Sequence, residues 1–393
     1  MKKILLITRP IAPPWDEGSK NFAYSLAKNL PADLEVNLMT KGVLPELPQN
    51  VRQHSVYTTS KIADFNLEQK LRSLFFQFKT RGQFDINHYF FTPTRLNSFL
   101  IKYFLLSRNL KALIRMSPVR SGGSRRDSGA NNLTKTIQTV ATLREDLWSD
   151  QDLKKLMFAD LIITYSDYSK EKLNKLGFQN VKRVYPGIDL ELFAPRTGAT
   201  NAGHANKDFV INFTGEYVRL GAIDAVIDSF IEVSRKIPYA RLSLAVRVKN
   251  EKDAAKKKEI IEKLIKNGLL EKTAFHDDGT YQMKDIYNLC DVSVFPVENM
   301  RGKFDVPLAV IEAMACEKPV ILSNIPILKE FANERNSVTI EKGNAAALAS
   351  AILDLYHNPE KCAAIGREAR KYAEENFDIK KIAEIYQQIY GEL

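Results

Sequence analysis

Apolar residues fall in short runs along the first half of the chain. The runs Lys3–Thr8, Leu34–Thr40, Phe84–Phe90, Lys111–Met116, Leu161–Tyr165 and Val181–Tyr185 predict strands. Between the first two, Phe22, Leu26, Ala27 and Leu30 recur at helical spacing within Ser19–Leu30. Strand, glycine-containing turn, helix and strand open a parallel βαβ unit. Residues Ser117–Asn132 interrupt the alternation. Ser121–Asn132 holds three glycines, three serines and nothing apolar larger than alanine, which predicts a long loop.

Pro195–Lys207 is rich in Gly, Ala, Asn and Thr and predicts a linker. The alternation then restarts. Strand Phe209–Thr214, helix Ala222–Ser234 and strand Arg241–Val248 are followed by a charged helix, Ala254–Asn267. Strand Thr273–Phe275, a helix from Met283, strand Asp291–Pro296, helix Leu308–Cys316 and strand Pro319–Ser323 come next, ahead of C-terminal helices. Ile379, Ile382, Ile385, Tyr386, Ile389 and Tyr390 form one helical stripe that needs a surface to cover. The pattern predicts an α/β protein of two similar halves.

The chain has 393 residues, and 45% hydrophobic with 26% charged residues is ordinary globular composition. Wholly disordered, collagen-like and disulfide-scaffold classes are excluded. The three cysteines, Cys290, Cys316 and Cys362, lie far apart without C-x-x-C spacing. They read as reduced core thiols of a cytoplasmic protein. Met1-Lys2-Lys3 before Ile4–Ile7 imitates a signal peptide, but the apolar run stops at Thr8-Arg9-Pro10. No stretch approaches the ~20 apolar residues of a membrane span. Net charge is +10 and unevenly shared. Residues 1–195 hold 29 Lys and Arg against 18 Asp and Glu, whereas residues 196–393 hold 28 against 29. The excess points to an anionic partner on the first half, with a merely solubilising surface as the alternative.

Three stretches carry a family resemblance. Pro13-Pro14-Trp15-Asp16-Glu17-Gly18-Ser19, followed by Leu26-Ala27 and Leu30, resembles the first loop and helix of GT-B glycosyltransferases of family 4. Tyr185-Pro186-Gly187-Ile188-Asp189 and Phe193 resemble that family's hinge. The strongest match, Pro307-Leu308-Ala309-Val310-Ile311-Glu312-Ala313-Met314-Ala315-Cys316-Glu317-Lys318-Pro319-Val320-Ile321, resembles its donor-site helix and the strand after it.

The resemblance implies two Rossmann-like domains with parallel sheets facing across a cleft. They divide as 1–195 on the acceptor side and 196–375 on the donor side, with a helix at 376–393 crossing back. It implies a retaining transferase that moves a sugar from a nucleotide-diphosphate-sugar to a glycan or lipid-linked acceptor. No cofactor, no metal and no protein nucleophile are expected.

The residue chemistry fits. A helix start after Pro307 offers free N–H groups to phosphate. Lys303 and Arg301 add charge before it, with Val306, Pro307 and Leu308 forming the approach. By resemblance Glu312 accepts both ribose hydroxyls. The family's second donor glutamate is replaced by Phe304, and Asp305 is the expected substitute at the sugar. Past Gly215, Glu216 stands where the family has a diphosphate-binding arginine, and Arg219 is the candidate for that charge. Gly18 and Ser19 are expected near donor phosphate or acceptor, with Gly18 free to take positive φ and Ser19 also suited to cap its helix. The stretch Leu113–Pro118 has no histidine where the family has one, and His88 is the candidate acceptor contact. His276-Asp277-Asp278-Gly279 reads as a turn before Tyr281 rather than a metal loop.

Leu67–Lys79 and Arg95–Arg108 mix bulky apolar residues with cations and predict amphipathic helices for an anionic membrane face. Three rivals stand beside the transferase. One is a catalytically degenerate subunit that binds nucleotide or a partner. Another is a nucleic-acid binder, for which no helix-turn-helix, zinc or aromatic RNA-binding signature is present. The third is a nicotinamide enzyme, for which the first loop lacks G-x-G-x-x-G.

Overall fold

A computed structural model describes residues 1–13, 15, 17–58, 66–90, 94–102, 134–196, 208–277 and 281–393. The strand expected at 111–116, the loop expected at 117–132, most of the linker at 195–207 and residues 103–108 lie outside the described residues. The chain forms two units. The first comprises Met1–Tyr165, Ser169–Val184 and Ala383–Leu393, the second Ser166–Tyr168 and Tyr185–Ile382.

In the first unit the elements are β1 (Lys2–Ile11), α1 (Gly18–Asn29), β2 (Leu34–Thr40), β3 (Val51–Ser55), α2 (Leu67–Lys79), β4 (Ile86–Phe90) and α3 (Arg95–Leu100). They continue through β5 (Lys135–Val140), α4 (Asp150–Leu156), β6 (Leu161–Thr164), α5 (Asp167–Lys175) and β7 (Val181–Arg183). The sheet is parallel throughout, in the order β3-β2-β1-β4-β5-β6-β7. A parallel sheet covered by helices buries both faces, which is why Ile4–Ile7 is a continuous apolar run and is fully buried. Two strands of this sheet escaped the sequence pattern. β3 ends the sheet and is mostly polar. β5 lies between β4 and β6, yet buries Thr136, Gln138 and Thr139. Asp160 takes the Thr136 amide and hydroxyl at 2.8 Å each, and Gln138 accepts the Phe158 amide at 3.3 Å.

The second unit contains β8 (Phe209–Glu216), α6 (Ile223–Lys236), β9 (Ala240–Arg247), α7 (Glu251–Lys266), β10 (Thr273–Phe275), α8 (Met283–Leu289) and β11 (Val292–Phe295). Next are α9 (Leu308–Ala315), β12 (Val320–Ser323), β13 (Val338–Ile340), α10 (Ala345–His357), α11 (Pro359–Asn376) and the start of α12 (Ile379–Glu392). Its parallel sheet runs β10-β9-β8-β11-β12-β13.

The last part of α12 belongs to the first unit. Of its apolar stripe, Ile379, Ile382, Tyr386, Ile389 and Tyr390 are buried, but Ile385 is 40% exposed. In the hinge motif, a Cβ on Gly187 would lie 2.8 Å from the Ile379 Cα, so only glycine lets these backbones approach. The Ile188 amide then donates to Phe377 O at 2.8 Å, and the Ile379 amide to Ile188 O at 3.0 Å.

Candidate functional site

Open parallel sheets bind ligands outside the carboxyl ends of the strands, where strand order reverses. In the second unit that point lies between β8 and β11. The loops leaving those two strands, and the loop after β9, bring together Glu216, Arg219, Lys249 and Lys303. Glu216 ends β8, and Arg219 grips its carboxylate through Nε at 2.5 Å and through Nη2. Lys249 Nζ reaches the same carboxylate at 2.8 Å, and Arg219 Nη1 donates to Gly302 O at 3.1 Å. Burial pushes the Glu216 carboxyl upward. The hydrogen bonds and charges of Arg219 and Lys249 more than offset this, and its pKa is lowered. The misplaced acid therefore does not turn away, as phosphate repulsion alone would suggest; it clamps two cations. Burial pushes the Lys303 ammonium down to about 8, with Glu216 opposing and Arg219 and Lys249 adding to the fall. Three cations against one fully ionised acid make a strongly anion-attracting mouth.

The loop after β11 leads into α9, whose start has no side-chain cap and no acid in its first turn. Its first N–H groups and positive dipole end are therefore open to an anion. Val306 and Pro307 are buried, while Leu308 is half-buried. Gly215 sits against the Phe213 ring, which a Cβ there would meet at 2.4 Å. One turn into α9, Glu312 accepts the Tyr287 hydroxyl at 3.2 Å. Burial raises the Glu312 carboxyl to about 7, against the lowering effects of Tyr287 and Lys303. A half-buried carboxylate with one weak partner suits a ligand that brings two hydroxyl donors.

Four expectations are corrected. His88 is not at a strand end but in the middle of β4, fully buried. Its Nδ1 pairs with the Tyr390 hydroxyl at 2.8 Å and its Nε2 with Thr139 Oγ1 at 2.7 Å, which leaves nothing for an acceptor. Asp305 is also buried, and its carboxylate takes the Ser166 hydroxyl at 2.5 Å, so it anchors its loop rather than contacting a sugar. Glu17, not Ser19, caps α1: its carboxylate accepts the Lys20 amide at 3.0 Å and the Ser19 hydroxyl at 2.6 Å. Gly18 begins α1 and is not among the positive-φ glycines. A carboxylate thus already occupies the anion seat at the start of α1, against a phosphate role for Gly18 and Ser19.

Arg301 is exposed. Asp277 pairs with Lys257, and His276 meets Tyr281 edge-on at 4.3 Å; Asp278 and Gly279 lie outside the described residues. Among the described residues no cluster of His, Cys, Asp and Glu could hold a metal. The three cysteines are buried and unpaired. Sequence reasoning missed Lys249 and Tyr287. Lys249 could have been found from its place just after the strand beside β8, whereas Tyr287 is masked by the apolar pattern of α8.

Two parallel α/β units, the second with a cationic mouth at its reversal point, define the GT-B fold of glycosyltransferases. The match is borne out across whole chains. Anabaena Alr3699/HepE in complex with UDP-glucose superposes with a TM-score of 0.72 at 17% identity, covering 100% of both chains. Sucrose-phosphate synthase from Thermosynechococcus elongatus gives 0.70 at 18%, covering 100% of this chain and 99% of that one.

In sequence, residues 200–372 match the family "Glycosyl transferases group 1". The capsular polysaccharide biosynthesis glycosyltransferase CapM of Staphylococcus aureus is 27% identical over 234 residues, 58% of each chain. The D-inositol 3-phosphate glycosyltransferase of Rhodococcus jostii (strain RHA1) is 26% identical over 207 residues, 51% of this chain and 45% of that protein. The chain thus aligns with roughly half the length of these relatives.

Proposed function

We propose that this protein transfers a sugar from a nucleotide-diphosphate-sugar to a glycan or lipid-linked acceptor, with retention of configuration. The observation that carries the reading is the uncapped start of α9, with Glu312 one turn inside it and Lys303, Arg219 and Lys249 at its mouth. The helix N–H groups and the three cations would hold the diphosphate and stabilise its charge as the glycosidic C–O bond breaks. Glu312 would accept the ribose hydroxyls. With His88 and Asp305 committed to other bonds, neither serves as a base, and the departing phosphate oxygen is the base the reaction itself supplies. UDP-glucose in a structural neighbour of this fold supports the donor class.

Helix α2 favours a membrane location for this chemistry. It buries Gln69, Ser73 and Gln77, while Leu67 (66% exposed), Leu71 (56%), Phe75 (69%) and Phe78 (43%) face outward. At ~100° per residue these four fall within an arc of about 80°. Lys70 flanks one side and Arg72 and Lys79 the other, where Glu68 pairs with Arg72 at 2.9 Å. An apolar stripe between cations fits the interface of an anionic bilayer. No described helix is long and apolar enough to cross a membrane. The cytoplasmic face goes with this reading, since Cys290, Cys316 and Cys362 stay reduced there.

The test is the melting-temperature shift with UDP, GDP, ADP and their sugar conjugates, beside Glu312→Gln. A ligand confined to the native state adds about 2.7 kcal/mol at 100 Kd. A shift with one base, diminished in the variant, supports the donor site. No shift with any nucleotide favours the degenerate, partner-binding subunit instead.

A further inference from the structure

In the first unit the sheet order reverses between β1 and β4, so the loop after β1 occupies the place that the cationic mouth occupies in the second unit. Its chemistry differs, with one cation among the described residues, Lys20, whose Nζ donates to Ala12 O at 3.1 Å. The start of α1 is closed to anions by Glu17, as described above. Beside it stands Trp15, 40% exposed. The indole leans on the Tyr24 ring, with centroids 4.5 Å apart and planes at 32°. The Asn21 side-chain amide fixes the Trp15 carbonyl at 3.1 Å, and Glu46 holds the Tyr24 hydroxyl at 2.7 Å. One indole face is therefore backed by an aromatic ring while the residue keeps 40% exposure, and carboxylates lie on the same loop and behind Tyr24.

We propose that Trp15 is a stacking platform for a neutral pyranose ring, and that this unit reads its acceptor through the apolar face of a sugar rather than through a phosphate. The C–H bonds on one face of a pyranose carry partial positive charge and meet the negative face of an aromatic ring. Carboxylates accept sugar hydroxyls but repel phosphate. The inference rests on the transferase reading, because it names the acceptor side of that reaction.

The experiment is saturation-transfer NMR on the full chain with methyl β-D-glucopyranoside, methyl β-D-galactopyranoside and methyl N-acetyl-β-D-glucosaminide. We expect saturation of ring protons with at least one glycoside. It should fall at least fivefold in Trp15→Ala, persist in Trp15→Phe, and resist competition by inorganic phosphate. Octyl β-D-glucopyranoside below its micelle concentration distinguishes the sources. A stronger response than the methyl glycoside marks a lipid-linked ring, and an equal one a free glycan end. Failure of every glycoside, an unchanged response in Trp15→Ala, or displacement by phosphate overturns the proposal. The nucleotide melting shift, measured on the same variants, separates the two readings. If it persists while Trp15 is silent, only the platform falls; if it is absent in the parent chain, the donor reading falls.

Discussion

Tyr287 donates its hydroxyl to Oε2 of Glu312 across 3.2 Å, and the described residues give this carboxylate no other side-chain partner. Burial therefore governs its protonation, raising it to about 7, while the nearby Lys303 ammonium is lowered to about 8. A ribose diol binds the ionised acid, present above pH 7. A diphosphate binds the ammonium, present below pH 8. The affinity for a UDP-sugar, whose diphosphate does not titrate in this range, should peak between pH 7 and 8. By calorimetry, Glu312→Gln should remove the acid limb and Lys303→Met the alkaline one. A flat profile in the parent chain would contradict both assignments.

The Glu216 clamp makes an electrostatic prediction. Removing the acid leaves Arg219 and Lys249 with their charge uncompensated. Glu216→Gln should tighten nucleoside diphosphate binding a few-fold at low salt, and the gain should vanish near 1 M salt, where screening acts over ~3 Å. Arg219→Gln and Lys249→Gln should each weaken it by about tenfold, the scale of one charge-assisted bond.

His88 links acidity to stability. Burial holds its pKa well below the usual 6.5. Below pH 6.5 the unfolded chain takes up a proton that the native core refuses. Stability should fall by up to about 1.4 kcal/mol per pH unit from 6.5 downward, until the native pKa is reached. His88→Leu should cost about 2 kcal/mol at pH 7.5, because the Tyr390 and Thr139 hydroxyls lose their partner, and should flatten this acid limb. Urea titrations across pH read both effects.

At the hinge motif, Gly187→Ala should cost about 1–3 kcal/mol, since its Cβ meets the Ile379 backbone. Gly42→Ala, with nothing within 4 Å, is the control and should leave the melting temperature nearly unchanged.

For α2, the pair Leu71→Ser and Phe75→Ser should abolish co-sedimentation with phosphatidylglycerol vesicles while leaving the melting temperature intact, because both side chains are exposed. Changing Lys70 and Lys79 to glutamine should weaken it roughly fivefold per charge, and Arg72, already paired with Glu68, by less. Equal sedimentation of all variants would remove the membrane reading.

Strand β1 was legible because its centre, Ile4–Ile7, is apolar at every position, and β2 because Leu34, Val36 and Leu38 alternate, although it also buries Glu35, Asn37 and Thr40. β5 was not, because its buried Thr136, Gln138 and Thr139 are satisfied by His88, Asp160 and the Phe158 amide, partners that only the sheet register supplies. The rhythm of α2 and an outward apolar side were legible, but not which apolar residues turn inward: Leu74 and Phe76 pack on the core while Leu67, Leu71, Phe75 and Phe78 stay exposed. Glu312, Lys303 and Arg219 could be read from the chain around α9 and β8. Lys249 enters through the pairing of β9 with β8, and the fate of His88 depends on a tyrosine 302 residues away.

That last pairing orders events in time. A ribosome adding about 5–20 residues per second needs roughly 15–60 s to travel from His88 to Tyr390. Until then His88 has the stacked ring of its neighbour Phe90 but neither the Tyr386 ring nor the Tyr390 hydroxyl, although most of the sheet is already made. The first unit to begin synthesis is therefore the last to close, and a nascent chain waits with its N-terminal core open while the second unit folds.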